Sequence, residues 1–431
     1  MKQYESYKDS GVEWIGEVPR HWEVRKIKTF SPVKRGASPR PIDDPKYFDE
    51  NGEFSWVRIA DVSASDKYLT TTTQKLSKLG SSLSVKRYPG DIFISIAGTV
   101  GKPIISSINC CIHDGFVYFP YLKNMNTEFL YYIFMSGQPY LGLGKLGTQL
   151  NLNTETIGNI YIPYPSVEVQ NLIVSYLNKK CSEIDNVISA QQKRIALLQE
   201  LKQSVITHAV TKGLNPNVEM KDSGVEWIGE VPITWEVMKT SLAFKGIGSG
   251  TTPSTSKKEY YDEDGKYWLQ TGDLNDGIIL DTCKKVSDIA IKVCNLKFYP
   301  KDSVVIAMYG ATIGKVGILG IKTATNQACC VLPANKHMIA KYTFYEFLAC
   351  KPALLVSAIG GGQPNISQDT IRKQKIAVPP IEDQKSIADY LDKKCATIDS
   401  SISKAQYQVE LLQEYKQSLI TEVVTGKRKV S

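Results

Sequence analysis

The hydrophobic positions along the chain follow one pattern in two long segments and another pattern between them. Residues 167–208 contain neither Pro nor Gly, and their apolar side chains recur at alternating steps of four and three residues. This spacing is the a/d seam of a coiled coil. The pattern therefore predicts a long helix flanked by Pro165 as a start signal and Gly213 as a stop signal.

The same seam occurs a second time near the end of the chain. The first copy contains Leu177, Cys181, Ile184, Ile188, Ile195 and Leu198. The second copy contains Leu391, Cys395, Ile398, Ile402, Val409 and Leu412. A helix of about 40 residues is about 60 Å long, which exceeds the diameter of a small domain. We therefore expect the two helices to pair with each other; the alternative is that each lies on its own globular half as part of the core.

The regions outside the two helical segments have a different pattern of hydrophobic residues. Short β-branched and aromatic runs such as DIFISIA, GFVYFPYL and SVVIAMYG are divided by Gly, Pro and Asp, which predicts strands and turns. The stretch KNMNTEFLYYIFMSG, at 123–137, instead predicts a helix capped by Asn126 or Thr127. Each of these bodies is expected to be a mixed α and β domain.

The chain consists of two copies of one sequence repeat, each about half of its length. KDSGVEWIGEVP occurs at residues 8–19 and again at 221–232, and similarity continues through both long helices. Agreement is poor only where residues 30–80 are compared with 244–295. A long fixed period is an architectural signal. We expect domains at 1–165 and 214–379, and spacer helices at 166–213 and 380–431.

Composition and charge narrow the class of protein. A chain of 431 residues with 42% hydrophobic and 22% charged residues is expected to form at least two soluble globular domains. No apolar run could span a membrane, and the first residues do not resemble a secretory signal, so we expect a cytoplasmic protein. The nine cysteines show no metal-ligand spacing and are expected to be reduced. The net charge of +8 permits a polyanionic partner without requiring one.

Motifs for catalysis are weak throughout the sequence. GLGKLG satisfies GxGxxG but has no preceding strand, and GTVGKP lacks the spacing of a phosphate loop. None of the four histidines lies in a metal or general-base pattern, and the methyltransferase tetrapeptide N/D-P-P-Y/F does not occur. The sequence gives no reason to expect a catalytic residue, a metal site or a cofactor site in this chain.

A set of motifs connects the chain to a known family. The duplicated KDSGVEWIGEVP, the loop GSGTTPSTSKKEYYDEDGKYWLQTGDL, SIAGTVGK and the pair PSVEVQNLIVSYLNKK and PPIEDQKSIADYLDKK occur together. As a set they resemble the specificity subunit of type I restriction-modification enzymes, over essentially the full length. The resemblance implies an α+β fold: two similar mixed α/β target-recognition domains, joined and separated by two long antiparallel coiled-coil helices in a pseudo-twofold repeat.

The resemblance also implies a non-catalytic role in a larger complex. The expected partners are double-stranded DNA with an asymmetric bipartite target, two methyltransferase (M) subunits and two restriction/translocase (R) subunits. S-adenosylmethionine, ATP and Mg are then expected on those partner subunits, and no membrane is involved.

Polar side chains on turns beside the strands are the natural candidates for contacts with DNA, because such groups reach base edges and phosphates. In the first half they are Lys34, Arg35, Ser38, Arg40, Arg58, Thr99, Lys102, Gln149 and Asn151. In the second half they are Ser249, Thr251, Thr252, Ser254, Lys257, Lys258, Gln270, Thr312, Lys315, Gln363 and Asn365. Arg58 aligns with Gln270, so these two are expected to set different half-sites; the alternative is that both are solvated strand residues.

Two other functions stay open at this point. One is a free-standing DNA-binding regulator without enzymatic partners, and the other is a self-sufficient restriction enzyme or methyltransferase, which the missing cofactor motifs disfavour. If the helices run antiparallel, the end of the chain returns to its beginning. Trp14 and Trp227 of the duplicated motif are then expected to be buried at the two helix ends.

Overall fold

The computed structural model describes residues 3–141, 143, 152–356 and 365–430. The chain forms two compact units, one of residues 1–192 together with 407–431 and one of residues 193–406. The first unit is therefore built from both ends of the chain, whereas the second is one continuous stretch.

The first unit is a mixed α and β body. Its strands are β1 (Tyr7–Asp9), β2 (Glu17–Pro19), β3 (Glu23–Lys26), β4 (Lys34–Arg35), β5 (Phe54–Val57), β6 (Tyr68–Leu69), β7 (Gln74–Leu76), β8 (Val85–Arg87), β9 (Ile92–Ser95), β10 (Pro103–Ser106), β11 (Cys110–Ile112), β12 (Phe116–Tyr118) and β13 (Tyr161–Tyr164). Its helices are α1 (Ile59–Ala64), α2 (Lys78–Ser82), α3 (Thr127–Met135) and α4 (Thr154–Asn159), and α5 (Val167–Lys212) begins in it. Asn126 caps α3 by accepting from the backbone N–H groups of Glu128 and Phe129, as predicted.

The second unit has the same order of strands. Its strands are β14 (Met220–Asp222), β15 (Glu230–Pro232), β16 (Glu236–Lys239), β17 (Gly248–Ser249), β18 (Tyr261–Leu269), β19 (Gly277–Ile279), β20 (Lys285–Val286), β21 (Phe298–Tyr299), β22 (Val304–Ala307), β23 (Val316–Leu319), β24 (Thr323–Thr325), β25 (Cys329–Leu332) and β26 (Lys375–Val378). Its helices are α6 (Thr240–Ala243), α7 (Asp288–Val293), α8 (Ala340–Val356) and α9 (Gln368–Lys373), and α10 (Ile381–Val424) begins in it.

The two units share one sheet topology. In the first, a five-stranded sheet has the order β4-β12-β9-β10-β6 and a four-stranded sheet the order β7-β5-β11-β8. The corresponding sheets of the second have the orders β17-β25-β22-β23-β19 and β20-β18-β24-β21, which match strand for strand. The fold is thus duplicated even across residues 30–80 and 244–295, where the sequence repeat is hardly visible. The predicted fold class, two mixed α/β domains joined by long helices, is confirmed.

The helices α5 and α10 run antiparallel within each unit. In the first unit, Asp185 on α5 pairs with Lys416 on α10 at 2.6 Å. Tyr176, which precedes Asp185 on α5, contacts Arg428, which follows Lys416 and lies just past the end of α10. In the second unit, Lys202 pairs with Asp399 at 2.7 Å. Adding the repeat offset of 214 turns Asp185 into Asp399 and Lys202 into Lys416, so the two ion pairs are copies of each other.

The first three seam positions of each long helix are buried, and the later ones are partly exposed. Leu177, Cys181 and Ile184 are buried, as are their counterparts Leu391, Cys395 and Ile398. The partly exposed seam positions are Ile188, Ile195, Leu198, Ile402, Val409 and Leu412. Leu177, Cys181 and Ile184 also belong to the core cluster that contains Phe129, and Leu391 and Cys395 belong to the core cluster of the second unit. Helix pairing and packing on the globular body, which were alternatives from sequence, are therefore both present.

The end of each long helix contacts the duplicated motif. Gly426 has φ +75°, and a Cβ there would lie 2.5 Å from Pro19 and 3.0 Å from Trp22, so only glycine fits. Trp22 and Trp235 are buried, with exposed fractions of 0% and 2%. Trp14 and Trp227 pack against the core clusters that contain these helix ends, but they are only partly buried, not buried as predicted. The tryptophan that follows the motif, not the one inside it, meets the glycine at the helix end.

The remaining predictions on composition concern cysteines and membranes. All nine cysteines are free, and burial raises the pKa of Cys110 to about 11. In the part of the chain that the structure describes, no helix combines the length and apolarity needed to cross a membrane.

Candidate nucleic-acid interface

Strand pairing gathers the polar loops of the first unit at one end of its sheets. Val57 pairs with Ile112, so Arg58 leaves β5 beside the turn that follows β11. The Ile96 N–H donates to Gly115 O at 2.8 Å, and the Ala37 N–H donates to Ile112 O at 3.1 Å. The loops after β4, β5, β9 and β11 therefore lie together, and we call them the first loop cluster.

Arg58 is held in place by a carboxylate. Its backbone N–H donates to Asp61 Oδ2 at 2.8 Å, which caps α1. Its guanidinium lies 3.7 Å from the same oxygen and also donates to Thr73 Oγ1. The Arg58 side chain is 43% exposed, whereas that of Asp61 is 6% exposed. A buried acid thus holds an arginine whose side chain stays partly exposed.

Thr99 and Lys102 lie on the loop that follows β9, next to α1. Lys102 Nζ donates to Ser65 O at 2.6 Å and to Ser63 O at 3.2 Å, and Thr99 Oγ1 contacts Ser63 Oγ. Partial burial lowers the pKa of Lys102. These contacts tie the loop to α1.

The loop after β4 is organised by an acid that the sequence did not single out. Arg35 Nε donates to Asp114 O at 2.5 Å. Ser38 Oγ and Arg40 donate to the Asp114 carboxylate at 3.3 and 3.2 Å. Lys34 is exposed on the strand β4, opposite Tyr118. Three of the four residues predicted on this loop therefore converge on Asp114.

The second unit builds an equivalent second loop cluster from the loops after β17, β18, β22 and β24. The Gln270 N–H donates to Asp273 Oδ2 at 2.7 Å, which repeats the contact between Arg58 and Asp61. Asp273 Oδ1 accepts from the Cys283 N–H at 3.1 Å. The predicted equivalence of Arg58 and Gln270 is thus supported by the same capping geometry, with a different side chain presented.

The loop GSGTTPSTSKK lies next to β24 and β25. Ser249 pairs with Cys330 on β25. The Thr251 N–H donates to Thr325 O at 3.0 Å, and the Thr252 hydroxyl donates to Gln327 Oε1. Further along, Ser254 contacts Ser256 at 2.8 Å and Lys257 Nζ donates to Tyr260 OH at 3.2 Å. Thr251, Thr252, Ser254, Lys257 and Lys258 are exposed.

The remaining candidates of the second unit lie near β22. The Lys315 N–H donates to Thr312 O at 2.9 Å in the turn between β22 and β23, and both side chains are partly exposed. Asn365 is exposed and forms a bridge with Tyr309, just after β22. Gln149, Asn151 and Gln363 lie outside the described residues.

The aligned tryptophans support these loops from below. Trp56 and Trp268 have exposed fractions of 4% and 0%, and the Trp268 Nε1–H donates to Thr251 O at 3.1 Å. They are core residues and do not offer faces on which bases could stack.

Sequence reasoning missed Asp114 and Gln327, which contact Ser38 and Thr252 respectively. Each is a polar residue between two buried strands, in IHDGF and TNQAC. That interruption was a signal in the sequence. It was passed over because the surrounding strands are the stronger pattern.

The arrangement can bind, and its groups are of the kind that contact nucleic acid. Lysine, arginine, hydroxyl and amide groups on adjoining loops supply donors and acceptors for phosphates and base edges. Among residues 3–141, 143, 152–356 and 365–430, no group of three or more His, Cys, Asp or Glu side chains could hold a metal ion.

Comparison with known proteins identifies relatives along the whole chain. The family model described as "Type I restriction modification DNA specificity domain" matches residues 19–198 and 232–410. A putative type I restriction enzyme MjaX specificity subunit of Methanocaldococcus jannaschii is 26% identical over 445 residues, which cover 96% of each chain.

Solved structures show the same fold. A chain from a structure of type I R-M system assembly and conformational transition has a TM-score of 0.72 at 15% identity, covering 94% of this chain and 98% of that one. The HsdS subunit from Thermoanaerobacter tengcongensis has a TM-score of 0.51 at 15% identity, covering 95% and 98%.

Proposed function

We propose, since the chain belongs to the type I restriction modification DNA specificity family, that it recognises an asymmetric bipartite sequence in double-stranded DNA and directs partner enzymes to it. One observation carries this proposal. Two units of identical sheet topology present equivalent loop clusters whose exposed side chains differ. Equal scaffolds with unequal side chains are suited to two half-sites of unequal sequence.

The charge of the first loop cluster supports contact with DNA. Lys34, Arg35 and Arg40 are exposed, and the Arg58 side chain is partly exposed. Phosphate contacts supply much of the affinity of protein for DNA, while base contacts supply sequence preference. In the second cluster Lys257 and Lys258 are exposed beside a loop rich in hydroxyl groups.

We assign two methyltransferase subunits and two restriction/translocase subunits as partners, and S-adenosylmethionine, ATP and Mg to those partners. Each unit carries a copy of one exposed apolar pair, which supports two like partners. In the second unit the pair is Leu197 and Leu201, exposed by 64% and 49%. In the first it is Leu411 and Tyr415, exposed by 44% and 48%. Exposed apolar pairs at i and i+4 on a helix are suited to covering by another protein.

The test is to express the chain with its methyltransferase in a host that lacks other methylation and to map methylated adenines. We expect one bipartite motif with two different half-sites, and copurification of the two proteins. A free-standing regulator would instead bind DNA without copurifying with a methyltransferase. Methylation or cleavage by the pure chain alone would overturn the non-catalytic assignment.

A further inference from the structure

Asp114 and Gln327 occupy the same position in the two units. The Ile96 N–H donates to Gly115 O at 2.8 Å, and the Met308 N–H donates to Ala328 O at 2.8 Å. On the next strands, Phe116 pairs with Ser95 and Cys329 with Ala307. The residue before Gly115 is therefore the counterpart of the residue before Ala328.

Their contacts are equivalent as well. Ser38 Oγ donates to Asp114 Oδ1 at 3.3 Å, and the Thr252 hydroxyl donates to Gln327 Oε1. Ser38 and Thr252 are themselves counterparts, each lying three residues after the last paired residue of its strand, Arg35 or Ser249. One hydroxyl thus orients each side chain, and the rest of the side chain is accessible: that of Asp114 is 41% exposed, and Gln327 is exposed.

The two side chains differ in what they can bind. An ionised Asp114 only accepts hydrogen bonds, whereas Gln327 has an amide that both donates and accepts. In the major groove, a carboxylate accepts from the N4 amino group of cytosine, and a glutamine bonds adenine at N6 and N7. A carboxylate cannot serve as a phosphate contact, because it repels the phosphate and has no proton to donate.

From this matched geometry we propose that Asp114 and Gln327 are base-contacting residues of the two half-sites, with Asp114 selecting cytosine in the first and Gln327 selecting adenine in the second. This proposal rests on the proposed function and adds chemistry to it. Arg35 and Arg40 surround Asp114 and offset its charge next to the DNA backbone. Asp114 is therefore tolerated on a surface that otherwise binds a polyanion.

The test uses the full chain and a library of random-sequence DNA duplexes longer than two helical turns, from which bound sequences are recovered. Asp114→Asn keeps an oxygen for Ser38 and adds a donor, so one position of the first half-site should change from cytosine to adenine. Gln327→Glu should change one position of the second half-site from adenine to cytosine. In each case the preference between the two bases should shift about 5- to 150-fold, while the other half-site stays unchanged.

Two controls match the charge changes. Glu50→Gln removes an exposed carboxylate on the turn before β5, at the opposite end of that strand from Arg58, and Asn217→Asp adds one on the exposed segment before β14. Both should leave base preference as in the unmodified chain. If Asp114→Asn and Gln327→Glu change affinity by the same factor for all sequences, the residues only support their loops and the inference is overturned.

The sequences bound by the unmodified chain distinguish a failure of the proposed function from a failure of this inference alone. If it selects no bipartite sequence, the proposed function fails together with this inference. If it selects one and neither variant alters it, only the base-contacting role of Asp114 and Gln327 is wrong. If Asp114→Asn does not fold, the exposed Gln327 decides the matter, because Gln327→Glu disturbs no buried group.

Discussion

Arg58 and Gln270 show how a single position can change specificity without changing the fold. Both use a backbone N–H to bond a conserved acidic partner within the repeat, Asp61 or Asp273. The side chain beyond that contact is free to differ. Arginine favours guanine and glutamine favours adenine in the major groove.

Arg58→Ala should weaken sequence preference at one position of the first half-site by about 5- to 150-fold and leave the second half-site unchanged. Gln270→Ala should do the reverse. Binding competition with duplexes substituted in one half-site at a time measures both. An equal effect of Arg58→Ala on the two half-sites, or none on either, would contradict its assignment to the first.

Glu346 is a second residue with a property set by its surroundings, in this case its pKa. It is fully buried on α8, where it accepts from the Ala377 N–H at 2.8 Å and lies 3.2 Å from Tyr342 OH. Burial raises the pKa of Glu346 from 4.5 to about 8. Because the folded state holds this proton more tightly, its contribution to stability is complete below the unfolded pKa of 4.5 and is lost as the pH rises through about 8.

The free energy of unfolding should therefore contain a component that falls by about 1.4 kcal/mol per pH unit between those values. Glu346→Gln keeps an oxygen for the Ala377 N–H and should remove this component. Urea unfolding at several pH values measures it, with the exposed Glu414→Gln as control. The same slope in Glu346→Gln as in the unmodified chain would show that another group is responsible.

Individual residues were the part of the site least accessible from sequence. Arg58 and Gln270 were found because a tryptophan two residues earlier anchors the alignment. Asp114 and Gln327 were missed because their role depends on a contact with a loop that is distant in sequence. Helix caps are local, so the neighbouring residues alone narrowed the cap of α3 to Asn126 or Thr127, of which the structure shows Asn126.

At the scale of elements, each globular body is attached to its spacer helix by a polar contact that is not the same in the two units. In the first, Lys67 contacts Glu128 on α3 and donates to Asn178 on α5 at 2.6 Å. In the second, the counterparts of Glu128 and Asn178 are Lys341 and Asp392, which form an ion pair of their own. The two junctions therefore have different charges at equivalent places.

Lys67→Met should destabilise the first unit by about 1–3 kcal/mol, because it leaves a partly buried carboxylate with less compensation. The side chains of Lys67 and Glu128 are only 16% and 29% exposed. Lys341→Met is the matched control and should cost no more than about 1 kcal/mol, because its ion pair is more exposed. Urea unfolding of the two variants gives the comparison; equal losses would mean that burial does not govern these contacts.

The elements themselves were predictable where their pattern was long. Both spacer helices follow from an uninterrupted seam, whereas β4, β6 and β17 have only two residues each and leave no period to detect. Trp14 was expected at the helix end because it lies inside the identical motif. Trp22 is there instead, since the turn after β2 directs the chain toward Gly426.

At the scale of the whole molecule, the net charge of +8 makes the affinity for DNA depend on the salt concentration. Each phosphate contact releases condensed counterions and contributes about 0.9 to the slope of log K against log salt. Lys34→Ala, on the exposed edge of the first loop cluster, should lower that slope by about 1 without changing base preference. Titrations at several salt concentrations test this, with Lys8→Ala on β1 as control; an unchanged slope would place Lys34 away from the phosphates.

The duplication and the return of the chain end to its beginning could be predicted from sequence, whereas the point at which each long helix passes from one unit to the other could not. The first unit takes residues 407–431 from the far end of the chain, and the second unit begins at residue 193, within α5. The reason is physical: an antiparallel helix pair brings each helix end back to the body from which the other helix started.

Because the first unit includes residues from the far end of the chain, the order in which the two units can fold during synthesis is fixed. Residues 193–406 contain the whole second unit in one continuous stretch, whereas the first unit has to wait for residues 407–430, which cover Trp22 and pair with Asp185. At about 5 to 20 residues per second, synthesis of residues 193–430 takes roughly 12 to 48 s. The half of the protein that is translated first is therefore the half that is completed last, and during that interval its exposed apolar surface is where a chaperone would be needed.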